Sequence, residues 1–342
     1  GGPLAHKSIV RHLVRPLDAD LAVLTSFKVN VEAESPALFE ASTFIWKLHN
    51  ATWDQQLDTL EPEARLQLNA TLNGGQPRSN VWGGITPVGA RKPLFGAGTG
   101  AIIMLHWRAL LDRLDSLVEQ SDTSRYGQVI VTRAGHFVGC DHPRVLPALD
   151  DVFVPEGENY GGVTDRHFVF AFASRARVLR MLPWLATHDQ PGVLWSPERA
   201  WFAYLRAQGM RVVTFDRVVA LMRVHDEARY NWHGHGPIPP LPMPGHCDDQ
   251  SWLKYPFEYL AMAGSCDLTL ESCPKPQNRF FGPYLHWCAH KLHNCSAKGC
   301  GRALERMTNS GPKACGQRRA PMYGFQVCNE RCSPGFSDTQ KS

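Results

Sequence analysis

The 342-residue chain lacks any apolar run approaching the roughly eighteen residues that a membrane-spanning helix requires, so no membrane span is predicted. It also lacks dense runs of Lys and Arg interleaved with aromatic residues. Its 36 basic residues are nearly balanced by 32 acidic ones, and nucleic acid is therefore not an expected partner. The chain opens on Gly1-Gly2-Pro3 without an apolar signal core. We expect that a natural signal or anchor has been removed.

Cysteine is scarce in the first two thirds of the chain, where Cys140 stands alone. The other nine of the ten cysteines lie between Cys247 and Cys332. Their spacing lacks paired Cys-x-x-Cys knuckles, which favours disulfides over a zinc module that would use neighbouring histidines. Three N-glycosylation sequons begin at Asn50, Asn69 and Asn294. Together these features predict the Golgi or endoplasmic reticulum lumen, or secretion.

Strand-like and helix-like segments alternate along the chain, which predicts an α/β fold with a mainly parallel sheet flanked by helices. Strands are expected at 20–26, 128–132, 152–155, 211–215 and 218–223. Helices are expected at 37–48, 53–68, 100–119, 174–185 and 197–208. A Pro-rich linker at 236–242 precedes the cysteine-rich region. The sequence therefore predicts a catalytic domain of residues 1–235 and a disulfide-rich region of residues 236–342.

The densest group of reactive side chains lies in the twelve residues 156–167. Within it, Asp165 is a candidate base or a group that orients a sugar hydroxyl, and Arg166 is a bidentate donor for phosphate or carboxylate. The glycine pair at 161–162 permits close approach of the backbone to a ligand. The alternative interpretation is a surface turn in which Asp165 and Arg166 pair with each other.

Several of these segments resemble a family of glycosyltransferases from plants, algae and their viruses. In that family a strand ending in Arg-x-Asp is followed by a Gly-Gly-x-x-Asp-Arg signature, which this chain carries at residues 161–166. The resemblance covers residues 8–230. The segments that carry it are 126–132, Arg133, 141–143, 154–167 and 196–198.

The resemblance implies a GT-A-like fold, in which one Rossmann-like sheet binds a UDP- or GDP-linked sugar for transfer to a glycan or glycoprotein. It implies that Asp165 and Arg166 face the transferring sugar and that Glu198 lies on the acceptor side, all three as catalytic residues. The implied donor-binding residues are Arg133, His136, Glu158, Tyr160, Gly161, Gly162 and His167.

The family often uses Mn²⁺ or Mg²⁺ to bridge the diphosphate to a carboxylate. This chain departs from the pattern, because Gly135 stands where the metal-binding Asp is expected. Three explanations remain open. Asp141 or His136 takes over coordination, Arg133 and helix amino termini bind phosphate without metal, or the chain is a catalytically impaired relative.

Two further functions are considered besides transfer. One is a carbohydrate-binding protein that kept the fold without the chemistry. The other is a hydrolase that pairs Glu156 or Glu158 with Asp165, although hydrolases need two carboxyls at a defined separation across a cleft. Tyr160 is the first candidate to stack on a sugar ring, and Tyr204 is a weaker one. Trp195, Trp201 and Trp232 are weaker candidates for stacking, because aromatic residues at helical spacing usually belong to the core.

Overall fold

A computed structural model describes residues 2–26, 29–48, 62, 100–120, 126–156, 162–188, 196–223, 241–242, 252–253 and 256–266. These residues form a mixed α/β structure with helices packed on a partly parallel sheet. None of the described helices is both long enough and apolar enough to cross a bilayer. The predicted helix at 53–68 and most of the predicted loop at 73–100 lie outside the described residues.

The amino-terminal part begins with a continuous helical segment: α1 (Pro3–Ile9), a π-helical stretch (Val10–Val14) and α2 (Arg15–Leu17). Strand β1 (Leu21–Ser26) follows, as predicted. It pairs in parallel with β2 (Ser42–Leu48), and two short helices, α3 (Val31–Glu34) and α4 (Pro36–Ala41), connect the two strands.

The prediction of a helix over 37–48 is wrong beyond Ala41, because β2 is a strand. The β-branched and aromatic residues Thr43, Phe44, Ile45 and Trp46 favour extended backbone. Along β2, half-buried and exposed residues alternate, as expected for a strand with one covered face.

The central sheet has the strand order β3-β6-β5-β7. Its strands are β3 (Gln128–Thr132), β5 (Asp151–Pro155), β6 (His167–Ala171) and β7 (Arg211–Phe215). The predicted strands at 128–132, 152–155 and 211–215 are confirmed. A mainly parallel sheet is wrong, since β6 runs antiparallel to both neighbours and only β5 and β7 are parallel. Residues 156–166 are too few for the crossover of about a dozen residues that parallel neighbours require.

A second, antiparallel sheet has the order β4-β8-β10-β9. It contains β4 (His136–Val138), β8 (Val219–Arg223), β9 (Leu241–Pro242) and β10 (Trp252–Leu253). The strand predicted at 218–223 is confirmed. Within the predicted linker, Leu241 and Pro242 form the two-residue edge strand β9, and a proline is tolerated at a sheet edge.

Four helices cover the central sheet: α5 (Gly100–Gln120), α6 (Arg175–Leu179), α7 (Met181–His188) and α8 (Pro197–Ala207). Helices α5 and α8 confirm the predictions at 100–119 and 197–208. The helix predicted at 174–185 is present as α6 and α7, which are separated at Arg180. The main core packs Trp107 of α5 and Trp201 of α8 against Phe168 of β6. Trp201 is fully buried and belongs to this core.

The last described helix, α9 (Pro256–Ser265), packs its Tyr259 and Met262 onto Ala220 and Met222 of β8. A disulfide between Cys140 and Cys266 ties the end of α9 to the segment after β4, across 126 residues of sequence. Cys140 therefore has a partner from the cysteine-rich region. The division of the chain at residue 235 stays a prediction, and the other eight cysteines lie outside the described residues.

Candidate active site at the carboxyl edge of the sheet

The direction of the strands brings the polar segments together. Since β6 is antiparallel to β3 and β5, and β5 is parallel to β7, the carboxyl ends of β3, β5 and β7 lie at one edge of the sheet, where β6 begins. This edge gathers Arg133, Glu156, the run 165–167 and Arg217. In α/β folds, ligand sites form outside the carboxyl ends of strands.

Asp165 is the buried carboxylate at this edge. Its Oδ2 lies 3.1 Å from Nη2 of Arg133, and the Asp165 side chain is 3% exposed whereas that of Arg133 is 31% exposed. A surface turn with Asp165 bound to Arg166 is wrong, because Arg166 is buried and pairs elsewhere. Arg133 is thus held by a carboxylate while its side chain still reaches solvent.

Glu198 lies in the first turn of α8, and local sequence fixes its position. Oγ of Ser196 accepts a hydrogen bond of 3.2 Å from the Arg199 backbone N–H and so caps the helix. The backbone N–H of Val163 donates to the Glu198 carbonyl at 3.2 Å. A Cβ at Gly162 would lie 2.1 Å from that same carbonyl oxygen, so glycine is required at position 162 for the segment before β6 to contact α8.

The Glu198 and Asp165 carboxyls influence each other. Burial raises the pKa of Glu198, and the nearby Asp165 carboxylate raises it further, while the Arg166 guanidinium opposes both effects. Pairs of acidic groups that differ in environment in this way are typical of acid–base sites. The structure therefore joins two of the three predicted catalytic residues, which lie 33 positions apart in the sequence.

Arg166, the third predicted catalytic residue, belongs to a buried ionic cluster beneath the site. Its Nη2 lies 2.9 Å from Oε1 of Glu258 on α9, and Nη1 of Arg217 lies 3.4 Å from the same oxygen. The other Glu258 oxygen accepts from the Leu221 backbone N–H at 3.1 Å. Arg217 also donates to the Glu156 carbonyl at 2.6 Å. Arg166 consequently positions the adjacent Asp165 rather than facing a ligand.

Sequence reasoning missed Glu258. The available signal was an acidic residue in the first turn of a helix whose other residues are largely apolar. A carboxylate on such a helix is buried with it and requires a cationic partner. The sequence could not identify that partner, because Arg166 and Arg217 are distant in the chain.

Four residues form a second buried cluster: Thr132, His136, His142 and His167. His142 Nδ1 lies 2.8 Å from the Pro143 carbonyl, and since a carbonyl only accepts, this nitrogen carries the proton. In the neutral ring His142 Nε2 then accepts from Nε2–H of His167, at 3.0 Å. The tautomer of each further residue follows from its neighbour.

His167 Nδ1 must accept from the Thr132 hydroxyl, at 3.0 Å, and Thr132 Oγ1 accepts from Nδ1–H of His136, at 2.9 Å. Nε2 of His136 is left as a buried acceptor that has no hydrogen-bond partner among the described residues. Burial is the main cause that lowers the pKa of all three rings. Predicted donor-binding residues His136 and His167 are therefore neutral and turned inward.

The predicted metal ligands do not meet. Asp141 is exposed and bonds His12 at 2.8 Å, whereas His136 is buried near the guanidinium groups of Arg133, Arg166 and Arg217, which disfavour a cation. Within the part of the chain that the structure describes, no three His, Cys, Asp or Glu side chains are grouped as metal ligands. The described residues do not fit the metal that the resemblance implies. Glu158, Tyr160 and Gly161 lie outside the described residues.

Comparison with protein-family models, with curated proteins and with solved structures found no match to this chain. The function of the site must therefore be inferred from its own geometry and from the sequence pattern. Three features define it: the ion pair Arg133–Asp165, the coupled carboxyl of Glu198 and the buried clusters that support them.

Proposed function

We propose that the chain is a glycosyltransferase that moves a sugar from a nucleotide-sugar donor onto a glycan or glycoprotein acceptor. The observation that carries the proposal is the Arg133–Asp165 ion pair at the carboxyl edge of the sheet, whose Asp165 carboxylate raises the pKa of the nearby Glu198 carboxyl. These residues come from three segments of the sequence pattern that resembles the transferase family. A cationic group next to two carboxyls suits a reaction in which a diphosphate leaves as an alcohol is deprotonated.

The proposed roles follow from the environment of each group. Glu198, whose pKa is raised chiefly by burial, accepts the proton of the acceptor hydroxyl as its oxygen attacks the anomeric carbon. The bond from that carbon to the diphosphate oxygen breaks, and the diphosphate leaves with its negative charge near the half-buried Arg133. Asp165 orients Arg133 and a donor hydroxyl. No step requires a metal ion.

An oxidising compartment is part of the proposal. The disulfide between Cys140 and Cys266 links the segment after β4 to the end of α9, the helix that contributes Glu258 to the ionic cluster. Disulfides persist in the secretory pathway and are rare in reducing compartments. The bond therefore supports placement in the Golgi or endoplasmic reticulum lumen, or secretion.

A carbohydrate-binding protein without transfer activity is the second candidate. The observation that favours it is Gly135, which removes the carboxylate expected at the metal position and leaves the edge rich in guanidinium groups. Such a protein would bind a free glycan without cleaving a nucleotide-sugar.

The test is release of nucleoside diphosphate from a panel of UDP- and GDP-sugars with mixed glycan acceptors, each with and without Mn²⁺. We expect turnover with one donor, and a loss of roughly 100-fold or more in kcat/KM for Asp165→Asn and for Glu198→Gln. Asp112→Asn, on the exposed face of α5, is the matched control and should keep full activity. Full turnover in both site variants would contradict the assignment. Glycan binding without any turnover would support the second candidate.

A further inference from the structure

A separate pocket lies at the far end of α8 from Glu198. Its volume is about 260 Å³, and its walls include Arg177, Arg180, Trp184, Tyr204 and Gln208. With a rise of about 1.5 Å per helical residue, Tyr204 lies about 9 Å along α8 from Glu198. Arg177 also bonds the Leu149 carbonyl, which precedes β5, so the pocket is at the amino edge of the sheet. It is therefore distinct from the candidate active site.

The pocket carries two positive charges that no carboxylate of the described residues balances. Arg177 donates only to backbone carbonyls, those of Gln208 at 2.6 Å and Leu149 at 3.3 Å. The exposed side chain of Arg180 makes no ion pair or hydrogen bond with any residue that the structure describes. Among the described residues that line the pocket, none is acidic.

The guanidinium groups of Arg177 and Arg180 both act on the pKa of Tyr204, which lines the pocket. Burial raises the pKa of Tyr204, and the charges of Arg180 and Arg177 both oppose this rise. The two cations thus create a positive potential in the pocket that Arg177, Arg180 and the buried Tyr204 line, and an anion would be favoured there. Two like charges held together without a counter-ion are unfavourable, and a bound anion would relieve that repulsion.

The aromatic lining of the pocket indicates that the ligand also contains a ring. Tyr204 is buried, and one face of the half-buried Trp184 stacks on His188, with ring centroids 4.7 Å apart. The remaining surface of the Trp184 indole is the aromatic wall against which a sugar or base ring can pack. The volume is slightly below the several hundred Å³ of pockets for drug-sized ligands. We infer that this pocket is a second binding site, for a single ring that carries a carboxylate, sulfate or phosphate group. This site goes beyond the proposed transfer reaction and does not depend on it.

The test is calorimetric titration at constant ionic strength with glucuronate, glucose 6-sulfate, uridine monophosphate, neutral glucose and inorganic sulfate. We expect at least one ring-bearing anion to bind the wild-type chain, and glucose not to bind. Arg180→Gln should weaken that binding about tenfold, because one charge-assisted contact is lost. Arg113→Gln, which removes an exposed charge from α5, is the matched control and should bind as the wild type does.

Equal affinity of Arg180→Gln and Arg113→Gln would overturn the inference, as would the absence of binding by every anion. If inorganic sulfate bound as tightly as the best ring-bearing anion, the inference that the ligand contains a ring would be overturned. Asp165→Asn should retain this binding, since the pocket lies at the opposite end of α8. Anion binding that is lost in Asp165→Asn but kept in Arg180→Gln would place the ligand in the candidate active site instead.

Discussion

Two buried polar clusters lie beneath the same edge of the sheet, and they satisfy their polar groups differently. One is ionic: Arg166 and Arg217 share the carboxylate of Glu258. The other is neutral: Thr132 joins three histidines through hydrogen bonds that fix every tautomer. The ionic cluster depends on α9, which enters from the carboxyl-terminal part of the chain, whereas the neutral cluster lies within residues 132–167.

This difference predicts which kind of change disrupts each cluster. A buried charge that loses its partner retains its full desolvation cost, so the ionic cluster is sensitive to single substitutions. A neutral histidine network tolerates no added proton, so it is sensitive to acid. Each cluster contains one of the two residues that follow Asp165 in the sequence, Arg166 and His167. Disruption of either cluster should therefore displace Asp165 in the candidate active site.

The largest expected effect breaks the ionic cluster. Glu258→Ala leaves two buried guanidinium groups without their counter-ion, and we expect the free energy of unfolding to fall by about 3–5 kcal/mol. Urea denaturation measures the change. Asp112→Asn removes one partner of the exposed Arg108–Asp112 pair on α5 and should cost no more than about 0.5 kcal/mol. If both variants lost the same small amount, the ionic cluster would not stabilise this edge.

Acid should break the neutral cluster. His136, His142 and His167 have pKa values below the ordinary value near 6.5, so the unfolded chain binds more protons than the folded chain as the pH falls. The neutral histidines contribute their full stabilisation above pH 6.5, and this contribution to the free energy of unfolding is lost as the pH falls below that value. Between pH 6.5 and 5.5 we expect a loss of about 1 kcal/mol for each histidine that stays neutral in the folded chain.

Urea denaturation across pH 7.5 to 5.5 measures this loss. The measurement separates the neutral cluster from the ionic cluster, because guanidinium groups do not titrate in that range. His142→Gln should reduce the slope by about one proton. Arg113→Gln, at an exposed position on α5, is the control and should leave the slope unchanged, because an arginine does not titrate in this range. A pH-independent free energy of unfolding in the wild type would show that the histidines are not held neutral.

Much of the fold follows from local sequence signals. The β-branched run at 128–132 and the apolar stripe of α5 predict a strand and a helix, and both are confirmed. The helix expected over 37–48 illustrates the limit of such signals. Apolar residues at 44–46 fit either period over so short a segment, and only pairing with β1 settles the strand.

The candidate site was predictable in part. Asp165 and Glu198 were identified from the pattern that contains them, and the structure brings them together. Glu258 could not be found in this way, because its role depends on long-range pairing with Arg166 and Arg217. The inward orientation of His136 and His167 was likewise not encoded by spacing. It results from antiparallel pairing of β6 with β3, which places His167 opposite Thr132.

The most direct test of the account is calorimetric titration of UDP and GDP into the wild-type chain and into Arg133→Gln, with and without a metal chelator. The account predicts that one nucleotide binds, that the chelator has no effect, and that Arg133→Gln weakens binding about tenfold through loss of a charge-assisted contact. Unchanged affinity in Arg133→Gln, or no binding of either nucleotide, would contradict a donor site at the carboxyl edge of the sheet.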